Sequence, residues 1–284
     1  MRNLARIQFR GESHAFETAW NSRSEYKIEY GLIAIYKDNP AYEVMRQLFT
    51  QYALRYTMSW HERVYVKYSA RELASCTLLR LDILGHAGAG NNTSANVYVT
   101  EPICQVCGRI SYRQIRDLAL DLTQQEPDLY ETPYFRHDIC ETDFFEVVVT
   151  RRLKDLLETQ RISGISFRPV EAVSTQHSPT KSYYQLFVKP TMGPLVEPSR
   201  IQYLKFCTNC GQYQEVLLDA LTGTKESEFY FPKASYGGAE IMKTTDEFGR
   251  GPRYGPQLII SQDLYRLMRR NRVSGFAVQP VHLV

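Results

Sequence analysis

One segment of the chain occurs twice. Val147–Val170 reads VVVTRRLKDLLETQRISGISFRPV and Leu258–Val281 reads LIISQDLYRLMRRNRVSGFAVQPV, and no gap is needed when Thr150 is laid over Ser261. Leu153 then falls on Leu264, Leu156 on Leu267, Arg161 on Arg272, Ser163-Gly164 on Ser274-Gly275 and Pro169-Val170 on Pro280-Val281. Self-similarity at this scale restricts the fold to one built around two related units. Locally each copy reads as strand, helix, glycine, strand. The short apolar runs Val147-Val148-Val149 and Leu258-Ile259-Ile260 suit buried strands. The hydroxyl of Thr150 or Ser261 can accept an orphan amide proton and start a helix. Leu153, Leu156 and Leu157, matched by Leu264, Leu267 and Met268, recur at the three-and-four spacing of one buried face. Gly164 and Gly275 are expected in the left-handed position just past the helix end. Ile165 and Phe167, or Phe276 and Val278, then alternate as a strand.

The match extends upstream. Leu78–Leu84 precedes one CxxCG motif as Tyr183–Val188 precedes the other, and Asn96–Thr100 and Arg200–Phe206 lead into the motifs themselves. The unit is therefore strand, loop, strand, CxxCG, variable insert, strand, helix, strand. It is expected over residues 78–173 and again over 183–284, with polar Ser174–Thr180 as linker. Residues 1–77 do not fit the repeat. There, Asn39-Pro40 reads as a helix start, Tyr42, Met45, Leu48, Phe49 and Tyr52 supply a buried face, and Tyr30–Tyr36 reads as a strand. This part is expected to be an α/β extension packed on the first unit and not a domain of its own. The fold class is α+β: two related units in tandem plus this N-terminal extension.

The cysteines carry the clearest chemistry. Four of the six sit in Cys104-Gln105-Val106-Cys107-Gly108 and Cys207-Thr208-Asn209-Cys210-Gly211. A chain of 284 residues with 43% hydrophobic residues has enough material for a core, so disulfide stapling is not needed. Two residues between cysteines let both thiolates turn back on one ion, and the following glycine permits a tight knuckle. Each hairpin supplies half a tetrahedral set. One reading pools Cys104, Cys107, Cys207 and Cys210 on a single zinc; another uses Cys104 and Cys107 with His137 and Cys140, leaving Glu240 and Lys243 at roughly the matching places of the second unit. A third is redox chemistry, which requires a helix directly after the CxxC. Gly108-Arg109-Ile110-Ser111-Tyr112 does not read as one. Cys76 reads as a small buried apolar residue.

Other signals point away from catalysis. Gly85–Gly90 lacks the glycine spacing and the Lys-Ser or Lys-Thr of a phosphate loop, and no HExxH or GxSxG is present. Charged residues make up 23% of the chain and the net charge is only +3, which excludes broad disorder and leaves nucleic-acid binding open without pointing to it. Asp138, Glu141, Asp143 and Glu146 gather before the first repeated strand, and Arg250, Arg253, Arg266, Arg269, Arg270 and Arg272 gather near the C-terminus. Such charges read first as solvated helix faces. If Arg266, Arg269, Arg270 and Arg272 form an interaction surface, it suits an acidic partner or nucleic acid. No apolar run approaches the roughly 20 residues needed to cross a bilayer, so a cytoplasmic location without membrane partners is expected.

With these residues in hand, the chain resembles the bacterial double-CXXCG motif proteins. The likeness rests on the two CxxCG motifs, on Tyr184-Gln185-Leu186, on Asp246 and Phe248, on Ile259-Ile260-Ser261 and on Val273-Ser274-Gly275-Phe276. Some members of that family look like immunity proteins for contact-delivered toxins. The resemblance implies a zinc-knuckle protein that binds another protein, conceivably a toxin; the absence of a recognisable catalytic constellation makes a non-enzymatic role the expectation, with an enzyme whose site is assembled from scattered residues as a further alternative. The alternative from another class is a zinc-ribbon nucleic-acid binder.

Overall fold

A computed structural model of the chain describes residues 2–11, 14–28, 32–86, 97–121, 137–142, 144–173, 182–199, 201–218, 228–250 and 253–284. The expected linker at 174–180, loop residues 87–90 and Asp143 lie outside them. The class is α+β, and among the described residues no helix is long and apolar enough to cross a membrane.

The chain first divides after Leu73. In the N-terminal part, β1 (Arg2–Gly11), α1 (His14–Asn21), β2 (Leu32–Tyr36), α2 (Pro40–Ala53) and β3 (Met58–Lys67) give an antiparallel sheet in the order β2-β1-β3 with two helices. Ala5, Ile7 and Phe9 alternate inward along β1 to meet Phe16 and Trp20 of α1 and Tyr42 and Met45 of α2. Asn39 caps α2 by accepting from the Ala41 amide at 2.9 Å. At roughly 1.5–3 kcal/mol for each large side chain fully buried, this cluster is a core in its own right. The described residues up to Leu73 belong to one compact unit and have a sheet and a core of their own. A short α3 (Ala70–Ala74) follows at the boundary.

Residues 74–218 and 228–284 form the other compact unit. Its first half runs β4 (Leu78–Ile83), β5 (Gly85–His86), β6 (Tyr98–Pro102), β7 (Ile110–Gln114), β8 (Ala119–Asp121), β9 (Ile139–Glu141), β10 (Val147–Thr150), α4 (Arg151–Thr159), β11 (Ile165–Pro169) and β12 (Glu171–Val173). Its second runs β13 (Tyr183–Val188), β14 (Thr191–Met192), β15 (Ile201–Cys207), β16 (Gln212–Leu218), β17 (Phe229–Phe231), β18 (Ile241–Arg250), β19 (Arg253–Ser261), α5 (Gln262–Arg270) and β20 (Phe276–Leu283). One sheet has the order β11-β13-β10-β9-β5. The other has the order β15-β16-β18-β19-β4-β20-β17, with β14 beside β18.

The two sheets share a pairing scheme down to the residue. Thr150 faces Tyr183 as Ser261 faces Leu78, and Val147 faces Leu186 as Leu258 faces Leu81. Phe167 faces Leu186 as Val278 faces Leu81, and His86 lies beside Glu141 as Thr191 lies beside Lys243. Yet neither sheet is made from one stretch of chain. β4 lies between β19 and β20, and β13 lies between β10 and β11. Residues 78–173 and 183–284 are therefore not separate tandem bodies, because each lends its first strand to the sheet of the other. All of Leu78–Leu81 is buried, as are Tyr183, Gln185 and Leu186, so withdrawing either strand would open a core.

The helices begin as the sequence implies. Thr150 accepts from the Leu153 amide and Ser261 from the Leu264 amide, and Leu153, Leu157, Leu264 and Met268 are buried. They end differently. The left-handed residue after each helix is Arg161 (φ 53°) or Arg272 (φ 52°), followed by an Ile162 amide bond to the Leu157 carbonyl or a Val273 bond to Met268. Gly164 and Gly275 also hold positive φ, but they answer to a close approach. A side chain at Gly275 would meet the Ile139 carbonyl, and one at Gly164 would meet the Pro190 ring. Here the lent strands cross between sheets: the Leu84 amide bonds to the Gly275 carbonyl at 2.8 Å, and the Lys189 amide to that of Gly164 at 2.9 Å.

Candidate metal centre

Both CxxCG motifs are turns between paired strands, one joining β6 to β7 and the other β15 to β16. Gly108 (φ 71°) and Gly211 (φ 68°) take the left-handed backbone that closes each turn, with open space where a side chain would stand. The Gly211 amide returns to the Cys207 carbonyl at 2.9 Å, and the Ile103 and Cys104 amides both reach the Arg109 carbonyl. Each hairpin thus turns its two sulfurs to one side.

The two turns meet. Cys104 Sγ lies 3.9 Å from Cys207 Sγ, Cys107 Sγ lies 3.9 Å from Cys210 Sγ, and all four sulfurs fall within 4.8 Å of one another. Cys104 and Cys207 are buried, and Cys107 and Cys210 are half-buried. The set could hold one metal ion. It does not include His137 or Cys140. Cys140 is buried beside Val97, Tyr98 and Leu118, and the residue standing at its place in the other sheet is Met242, facing Ile259 as Cys140 faces Val148. The expected match of Cys140 with Lys243 is off by one residue; Lys243 corresponds to Glu141.

The electrostatics favour a cation. The Cys107 amide, aided by the Asn209 side chain 3.3 Å away, pulls the Cys104 thiol down to about 6. The Cys210 amide likewise lowers Cys207. The Arg109 amide draws Cys107 the same way, but burial and the neighbouring thiols prevail and push it up to about 11; burial raises Cys210. Four sulfurs this close cannot all ionise unless a positive ion joins them.

Two residues supporting the centre escaped the sequence reading. Asn209, inside the second motif, donates to Cys104 of the first. Arg109, just after the first motif, reaches Gln212 Oε1 at 3.2 Å and the Tyr213 carbonyl at 3.5 Å, while its guanidinium lies 4.6 Å over the Tyr254 ring. Each is a polar residue within or beside a CxxCG, which was the available signal; its partner lay about a hundred residues away. Around the centre, Ile103, Val106, Tyr203, Leu204, Phe206 and Tyr213 are exposed. Lys205 holds φ 57°, which breaks the alternation of β15 and allows both Tyr203 and Phe206 to pack against Tyr213, at 5.0 and 5.1 Å.

The charged groups flagged in the sequence lie elsewhere. Arg266, Arg269, Arg270 and Arg272 are exposed on or just after α5, and Arg266 pairs with Asp263 at 3.5 Å. Asp138 is structural. It accepts from the Ser274 amide at 2.9 Å and hydroxyl at 3.0 Å, from Thr150, and from Arg152, whose guanidinium also reaches the Asn271 and Arg272 carbonyls beyond α5. The matching contact on the other side is Ser163 to Glu240 at 3.1 Å. No family model matches the chain, and no curated protein matches it either.

Proposed function

We propose that this is a non-enzymatic protein-interaction molecule whose two knuckles are clamped by one zinc ion. The observation that carries the reading is the convergence of the four cysteines beneath an exposed apolar cluster. At a zinc–sulfur distance of about 2.3 Å, a regular tetrahedron has edges of about 3.8 Å, close to the cross-hairpin separations. Cys104, Cys107, Cys207 and Cys210 would hold the ion, and Asn209 would orient Cys104 through its amide. The ion would act structurally, since four protein ligands leave no open position.

The clamp supports a binding surface. Val106 is 74% and Phe206 54% exposed, and with Ile103, Tyr203 and Tyr213 they form the large apolar side chains around the knuckles. Aromatic groups displayed on a rigid hairpin suit a protein partner. The family resemblance suggests that this partner is a bacterial toxin neutralised by binding.

Elemental mass spectrometry of the purified chain and of Cys107→Ser and Cys207→Ser tests the clamp; one zinc per chain, lost in both variants, is expected. Zinc retained after Cys207→Ser would exclude the shared site. Affinity capture from the native cell tests the surface, beside Phe206→Ser as control. Recovery of a protein by the wild type and not by Phe206→Ser is expected. Recovery of nucleic acid with binding that weakens steeply as salt rises would replace this reading with the nucleic-acid one.

A further inference from the structure

Strands of both sheets line a cavity of about 400 Å³, partly open to solvent. Its wall uses matching positions from both sides: Leu81 and Leu186, Ile83 and Val188, Val147 and Leu258. One matched pair carries opposite charges. Glu141 of β9 faces Val147, and Lys243 of β18 faces Leu258, so the same place in the two sheets holds a carboxylate in one and an ammonium in the other. Both line the cavity.

The other ionised groups of the wall are engaged. Asp82 pairs with Arg80 at 2.9 Å and accepts from Gln279 at 2.8 Å, and Glu146 accepts from the Thr142 hydroxyl. Gln114 and Gln185 bond to each other through both amides, at 3.0 and 2.8 Å. Neither the Glu141 carboxylate nor the Lys243 ammonium has a hydrogen-bond or ion-pair partner among the described residues. Burial, with the charges of Glu146 and Asp82, pushes Glu141 up to about 7, the mark of a carboxylate without a counter-ion. In the wall Phe145 holds φ 64°, a backbone that phenylalanine rarely adopts, with its side chain against Gly255 where a Cβ would collide. Strain of this kind accumulates where a site is being shaped.

We propose that this cavity binds a small zwitterion with an apolar body, of the amino-acid class, its ammonium on Glu141 and its carboxylate on Lys243. The volume lies in the range of small-molecule sites, and the lining sets the aliphatic side chains of Leu81, Val147, Leu186 and Leu258 beside its polar groups. The carboxylates of Asp82, Glu141 and Glu146 do not converge on a point as the four thiols do, so a lone metal ion is a poor match and an extended ligand a better one. The role of Glu146 is to deepen the negative potential beside Glu141 and favour the ammonium end.

Calorimetric titration of the full chain tests this with L-leucine and 5-aminopentanoate, whose charges are close and far apart, and with pentylamine and pentanoate as single-charge controls. At least one zwitterion is expected to bind about 10-fold or more tightly than either control, and Glu141→Gln and Lys243→Met are each expected to weaken it about 10-fold or more. Glu141→Gln relieves repulsion without changing shape, so it should fold at least as well as the wild type, which circular dichroism checks. The proposal is overturned if neither zwitterion binds at roughly 10 mM, a generous ceiling for such a site, if the controls bind equally, or if both variants retain the affinity.

Discussion

Replacing Gly275 by alanine tests whether the crossing of the lent strands holds the second unit together. Gly275 has φ 93°, and an added Cβ would stand 2.4 Å from the Ile139 carbonyl and 2.5 Å from His137 Cβ. Ile139 cannot yield easily, being buried in β9 and paired with Val149 of β10. The left-handed backbone costs a non-glycine residue roughly 1–2 kcal/mol, offset by about 0.4–1 kcal/mol from the stiffer unfolded chain. Displacing a buried strand adds about 1–3 kcal/mol, and weakening the Leu84 amide bond to Gly275 adds about 1 kcal/mol. The expected loss is therefore about 3–4 kcal/mol, a large share of a typical stability. Gly211→Ala is the control, because its φ of 68° is as unfavourable but nothing lies within 4 Å of the new methyl; about 1 kcal/mol is expected there. Urea unfolding followed by circular dichroism measures both. Tryptophan fluorescence separates the units, since Trp20 and Trp60 both belong to the N-terminal one. Equal losses for Gly211→Ala and Gly275→Ala, or a loss below about 1 kcal/mol at Gly275, would refute the close-approach argument.

Three further outcomes follow from the same geometry. Burial works against ionisation of Asp138, but Arg152 and Ser274 outweigh it and hold the carboxyl below its usual value, so its stabilisation is present above the unfolded-state pKa of about 3.9 and is lost as pH falls through the folded value; Asp138→Asn should flatten that acid limb in pH-dependent unfolding. Glu141 has the opposite sign. With its pKa raised from 4.5 to about 7, the folded state holds the proton that the unfolded state releases, so stability should fall with rising pH across that window by on the order of 3 kcal/mol, and Glu141→Gln should abolish the slope. Asn209→Ala removes the side-chain donor to Cys104 Sγ and should weaken zinc binding roughly 10-fold, read by competition with a chromophoric chelator.

What sequence determined by itself was local. The hydroxyl caps at Thr150 and Ser261, the buried faces of α4 and α5, the Asn39 cap of α2 and the glycine-closed CxxCG turns all depend on residues within one turn or hairpin, so their spacing was enough to read them. β1 was legible in the alternation of Ala5, Ile7 and Phe9 with polar residues, though the signal passed unread. Sequence also brought Cys104, Cys107, Cys207 and Cys210 into one candidate set, but only beside the rival containing His137 and Cys140. Tertiary structure decided between their positions. It decided too that β4 and β13 change places, because a strand between β10 and β11 finds the same register as one between β19 and β20, and local preference cannot distinguish two slots of equal shape. The helix ends show the same division. Gly164 and Gly275 read as helix caps, yet Arg161 and Arg272 take the left-handed turn, and the glycines are needed where another part of the chain passes too close for a side chain. That Glu141 and Lys243 hold equivalent places in the two sheets was legible only to within a residue, since the match depends on a register that exists only once the sheets have formed.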